Sequence, residues 1–207
     1  MGRGPFRKFW GAFLCLPLLA AGSYWLGKAV VQPRPRRAPQ VRGGDFTLRG
    51  VNGPWTLSKN GRDSLVLLYF GFTNCPGLCP MTLNSLKREL GSVPEAQRKR
   101  IQIVFVSVDY ETDTPATVAA YAKSFGSEVV GLTGTKAELD AITARYGAAY
   151  EVKESFPGSG KFEVNHSNQV FVIGPEGTLV DWVTVGYEDA KLGATIRQEI
   201  NAMRKML

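Results

Sequence analysis

Histidine is almost absent from this chain: His166 is the single one among 207 residues, and cysteine occurs only three times, at Cys15, Cys75 and Cys79. Such scarcity leaves no four-donor zinc set once Cys15 is assigned to an apolar segment. There is no internal repeat, which excludes solenoid and array architectures. Also missing is any surplus of charge outside the amino-terminal region. The chain carries +7 overall, yet residues 1–42 hold Arg3, Arg7, Lys8, Lys28, Arg34, Arg36, Arg37 and Arg42 and no acidic residue. Subtracting those eight from 25 leaves 17 basic residues against 18 acidic ones, so no basic face remains for nucleic acid. With 44% hydrophobic residues, a chain of this length fills one core without disulfide support.

What is present begins with a basic leader, residues 1–8, and an uncharged run from Phe9 to Leu26 with two aromatics near each end, the pattern of a membrane segment over residues 9–31. Its near-spanning length favours an uncleaved anchor; the small residues Ala20, Ala21 and Gly22 offer the alternative of a cleaved export signal. Phe13 and Leu14 are too bulky for a lipobox ahead of Cys15. Three charges plus the amino terminus precede the segment and five charges come after it, a slight bias toward a cytoplasmic domain. A short basic leader ahead of a first apolar segment argues the other way, for export of the downstream domain. Residues 32–44, rich in Pro and Arg, read as a stiff tether.

From residue 45 onward strands and helices alternate. Phe46 to Ser58 predicts two short strands around an Asn-Gly turn. LVLLYFGF, Leu65 to Phe72, predicts a strand buried on both faces, followed by a helix from Pro80 to about Leu90. Ile101 to Asp109 predicts a second buried strand, then a helix near Pro115 to Phe125 and a short strand at Val129 to Leu132. Thr135 and Glu138 form a capping-box pair opening a helix that stops at Gly147. Gln169–Gly174 and Thr178–Gly186 flank a Pro-Glu-Gly turn as an antiparallel hairpin. A last helix places Leu192, Ile196, Ile200, Met203 and Leu207 on one face. This order describes an α/β sandwich with a mixed central sheet flanked by helices and a right-handed crossover. With a cysteine pair at the end of the first long buried strand, it resembles a thioredoxin-like fold.

The stretch GFTNCPGLCP, Gly71 to Pro80, carries the chemistry. With Pro80 at the first helical position, Cys79 is expected at or near the N-cap, where the positive helix end stabilises its thiolate, and the Cys75 sulfur can turn back toward it. Three roles stay open for the pair. A structural disulfide would close a loop of about five residues and add little. A redox couple needs both cysteines. A metal site needs a further donor, and His166, in a loop before the hairpin, is the candidate. Two thiolates and an imidazole suit trigonal Cu(I), and with a weak additional ligand also Cu(II). The fold permits a peroxidase as well, but nothing marks a peroxide site.

GFTNCPGLCP resembles the Cys-Pro-x-x-Cys-Pro loop of the Sco/SenC family of copper-binding assembly factors for cytochrome c oxidase. VFVSVDYETDTP, GLTGT and VNHSNQVFVIGPEG are similar to further motifs of that family in the same order, and the likeness runs from about Phe46 to the carboxyl terminus. The resemblance implies Cys75, Cys79 and His166 as copper ligands, the binuclear copper site of oxidase subunit II as acceptor, and another periplasmic chaperone or a thiol reductase as a further partner. The short leader implies a bacterial inner-membrane protein, single-pass, with its domain in the periplasm. Gly77 stands where the family often has Asp, Thr112 where Arg is common, and Asn165 where Asp often precedes the histidine; two fewer carboxylates near the site bear on Cu(II) affinity, redox potential and partner choice. A thiol-disulfide oxidoreductase built on Cys75 and Cys79 is the competing function, and it alone has no need of His166.

Overall fold

The strand-forming runs of the sequence assemble into a five-stranded sheet in the computed structural model, which describes residues 43–186 and 189–205. Strands β3 (Leu65–Gly71), β4 (Ile101–Ser107) and β5 (Val129–Leu132) are parallel; β8 (Gln169–Ile173) and β9 (Leu179–Thr184) join antiparallel in the order β5-β4-β3-β8-β9. The sheet is therefore mixed, as expected of a thioredoxin-like α/β fold. The near-continuous apolar run of β3 has a direct cause: every residue of the strand is buried, and its period-two alternation feeds two cores. Leu65, Leu67 and Tyr69 face one cluster with helices α2 (Leu78–Gly91), α4 (Pro115–Lys123) and α6 (Asp189–Lys205). Val66, Leu68 and Phe70 face the other, with α5 (Lys136–Tyr146) and the hairpin of β1 (Thr47–Gly50) and β2 (Gly53–Thr56).

That hairpin pairs Thr47 with Thr56 around the expected turn, and Gly53 there has φ of 108°, a conformation that favours glycine. Thr135 and Glu138 cap α5 reciprocally, and Gly147 ends it in the left-handed conformation, as the sequence predicts. The hairpin strand expected to reach Ser58 stops at Thr56, where Leu57–Asn60 makes one helical turn, α1. A second short helix, α3 (Glu95–Arg98), precedes β4. Leu192, Ile196 and Ile200 are buried on α6; the side chain of Met203 and all of Leu207 lie outside the described residues.

One element is not anticipated by the sequence pattern. Tyr150–Glu154 (β6) and Phe162–His166 (β7) form a separate two-stranded ribbon, with Tyr150 opposite His166. Its strands half-bury one face, that of Tyr150, Val152, Phe162 and Val164, with Tyr150 and Val164 packed against the core, and leave Glu151, Lys153, Glu163 and Asn165 exposed opposite. His166 thus ends a strand instead of lying in a loop.

The membrane segment expected at residues 9–31 and most of the expected tether lie outside the described residues; among those described, no helix is long and apolar enough to cross a membrane. Gly43 and Gly44, at the end of the tether, are held to α5: the Gly43 amide donates to the Arg145 carbonyl at 3.3 Å, and the Tyr146 hydroxyl donates to the Gly44 carbonyl at 2.9 Å.

Candidate metal centre

The carboxyl ends of β3 and β4 open on one side of the sheet, and the cysteine loop leaves from there. After Gly71 the chain turns tightly, with the Cys75 amide donating to the Phe72 carbonyl, and enters α2 at Leu78. The loop is braced from the turn after β4: the Asp113 carboxylate accepts from the Thr73 amide at 2.9 Å and from the hydroxyls of Thr73 and Ser107. The motif after the second buried strand therefore anchors the first loop.

Helix α2 starts two residues earlier than the prolines suggest. Gly77 is its N-cap, Cys79 lies inside the first turn, and the Met81 amide donates to the Gly77 carbonyl. Pro80 is tolerated because amides of the first turn have no intrahelical acceptor. Cys79 thus sits near the N-cap as expected; only the thiolate expected there is corrected. The Cys79 side chain is fully buried, and desolvation, which penalises the charged form, pushes its pKa up to about 12. The fit is close: a Cβ on Gly71 would lie 2.7 Å from the Cys79 sulfur and 2.7 Å from the Phe105 ring, so only glycine leaves room at the end of β3.

Cys75, half-buried at the mouth, turns its sulfur back as expected and accepts from the Cys79 amide at 3.4 Å. Both thiols are free. From the far side, β7 delivers His166 with Nε2 3.3 Å from the Cys79 sulfur. Its Nδ1 lies 3.1 Å from the Ser167 carbonyl, which can only accept, an arrangement that suits the tautomer with the proton on Nδ1 and the Nε2 lone pair toward the sulfur. Edge-on rings of Tyr69 and Phe72, with centroids 6.0 and 5.7 Å away, wall the imidazole, and burial lowers its pKa from the ordinary value. A neutral imidazole aimed at a thiol is a ready donor set. Cys75, Cys79 and His166 have their ligand atoms within 4.8 Å of one another, and they are the one such group found among the described residues.

The three departures from the family pattern have distinct surroundings. At Gly77 a Cβ would meet nothing within 4 Å. Thr112 donates its hydroxyl to Asp109 within the turn. Asn165 is exposed on β7 opposite Glu151. Sequence reasoning missed Gly71, Tyr69, Thr82 and Asn168, which line the floor of the site; the signals were a glycine closing an otherwise apolar strand and an Asn two residues beyond the lone histidine.

The profile of the SCO1/SenC family matches residues 34–201. The SCO1 homologue of mouse mitochondria is 32% identical over 168 residues, covering 79% of this chain but 57% of the mouse protein, so the chain spans little more than half of that relative. Among solved structures, Arabidopsis thaliana ScoI with copper bound aligns with a TM-score of 0.68 and 31% identity, over 77% of this chain and 98% of the other. Apo Sco1 of Thermus thermophilus aligns with a TM-score of 0.65 and 37% identity, over 80% and 92%.

Proposed function

The chain belongs to the SCO1/SenC family, and from that premise we propose that it is a membrane-tethered copper chaperone holding one copper ion through Cys75, Cys79 and His166. The observation that carries this reading is the convergence of two thiols and a neutral imidazole within 4.8 Å, a donor set matched to Cu(I) and, with a weak further ligand, to Cu(II). The copper bound by the Arabidopsis relative supports the choice of metal. Copper is the cargo. Binding replaces the protons of the two thiols, while the Nε2 lone pair of His166 is already free to donate. Delivery runs by ligand exchange from the mouth inward: half-buried Cys75 is the first donor an acceptor displaces, and fully buried Cys79 the last.

In this account residues 9–31 anchor the chain in a bacterial inner membrane, residues 32–44 tether it, and the domain from residue 45 works in the periplasm on oxidase subunit II, loaded by another chaperone. The family resemblance supplies the acceptor, and the short basic leader ahead of the apolar run supplies the compartment.

A reductase reading rests on a separate observation, the two free thiols side by side. Cys75, the more accessible, attacks a partner disulfide; Cys79 resolves the mixed disulfide. Two electrons and two protons pass to the partner and the Cys75–Cys79 bond forms. His166→Ala separates the two functions. In a strain lacking the native protein at limiting copper, the chaperone account expects reduced oxidase assembly with thiol-disulfide exchange intact. Normal assembly with that variant would leave the reductase as the better account.

A further inference from the structure

Beneath the donor set lies a polar contact that neither function assigns. Asn168 sits two residues beyond His166. Its Oδ1 accepts from Thr82 Oγ1 at 2.9 Å and from the Tyr69 hydroxyl at 3.1 Å, and its Nδ2 donates to the Val185 carbonyl at 3.1 Å. Two hydroxyls at one end and a carbonyl at the other fix the orientation of the carboxamide. Thr82 lies one turn beyond Cys79 on α2. The helix and the His166 segment therefore meet in two rungs: Cys79 to His166 at 3.3 Å, and Thr82 to Asn168 at 2.9 Å. The first rung is a long sulfur contact; the second is an ordinary hydrogen bond between partly buried groups. It matters because β7 itself pairs with β6 and with no strand of the central sheet. The chain enters the main ladder only at Gln169, one residue beyond Asn168, so the carboxamide sits between the imidazole and the sheet.

We propose that Asn168 is a positioning residue for the metal centre: its carboxamide bolts the His166 segment to the Cys79 helix and thereby fixes the separation of imidazole and thiol. The proposal rests on the assignment of Cys75, Cys79 and His166 as copper ligands. Outer groups that orient metal ligands typically change metal affinity by about 10–100-fold when removed.

The test is Cu(I) affinity of the full chain, measured by competition with bicinchoninate, for the wild type, Asn168→Leu, His166→Ala and the double variant. Asn168→Leu is expected to weaken binding about tenfold, and to add no more than about twofold in the His166→Ala background, because its effect passes through the imidazole. Thr82→Val should weaken binding in the same direction and Thr82→Ser restore it. If Asn168→Leu does not fold, the Thr82 pair measured with and without His166 decides. Equal losses in both backgrounds would mean general loosening and overturn the proposal, as would no loss at all. Wild-type affinity in His166→Ala would defeat the ligand assignment and the proposal together; a loss there with none in Asn168→Leu would defeat the proposal alone.

Discussion

The two walls of the donor site are built to different standards. Cys79 stands on a helix whose Leu83, Leu86 and Leu90 are buried, packed against a strand buried throughout. His166 stands on a two-stranded ribbon with one half-buried face and charged residues on the other. Two-stranded elements alone are marginal in water, and the ribbon's exposed side lends no packing. The contrast separates two ways of holding a donor side chain. The thiol wall holds its sulfur in a fully buried seat; the imidazole wall rests on the core through half-buried Tyr150 and Val164 and on the rings of Tyr69 and Phe72. The site is a junction between a core and an appendage.

The comparison breaks most completely at the thiol. Cys79→Ser is expected to abolish stable copper uptake, measured as copper per chain after loading under reducing, anaerobic conditions; retention of one copper would show that the buried wall is not part of the site. Next in size is Leu83→Ala, which removes packing beneath Cys79 and should cost about 2–5 kcal/mol in denaturant unfolding. Val164→Ala, the matching change on the ribbon, should cost about 1 kcal/mol or less while still weakening copper binding. Equal stability losses would erase the distinction between the walls. Gly71→Ala forces a methyl group against the Cys79 sulfur and the Phe105 ring. Such overpacking costs about 1–3 kcal/mol, and by moving the sulfur it should lower copper affinity more than its stability cost suggests. The smallest effect is expected from Gly77→Asp. Open space surrounds that N-cap, and Asp there should gain only a few tenths of a kcal/mol of stability. Its added carboxylate should raise affinity for Cu(II) relative to Cu(I), read by paired titrations.

Much of this contrast was legible in the sequence on the thiol side and little on the other. The β3 run, the Thr135–Glu138 cap and the Pro-Glu-Gly hairpin obey local rules of periodicity and capping, so they could be read without tertiary knowledge. The ribbon was missed because Tyr150–Glu154 and Phe162–His166 are short and rich in Glu and Lys, and their weak alternation is outweighed by the Pro-Gly-Ser-Gly turn between them. His166 was found for a different reason: with a single histidine in the chain, the donor inventory pointed to it before any strand did. The burial of Cys79 could not be read from GFTNCPGLCP, because it depends on Gly71 leaving a hole beneath the helix, and the helix-end argument for a thiolate consequently failed. Asn168 and Thr82 escaped notice because hydrogen bonds spanning 86 residues leave no periodic trace.

The most direct test of the central claim is the X-ray absorption fine structure of the Cu(I)-loaded full chain beside His166→Ala. Two sulfur ligands and one nitrogen ligand per copper are predicted for the wild type, with loss of the nitrogen shell and retention of both sulfurs in the variant. A sulfur-only site, or a nitrogen shell that survives removal of the chain's single histidine, would contradict the account.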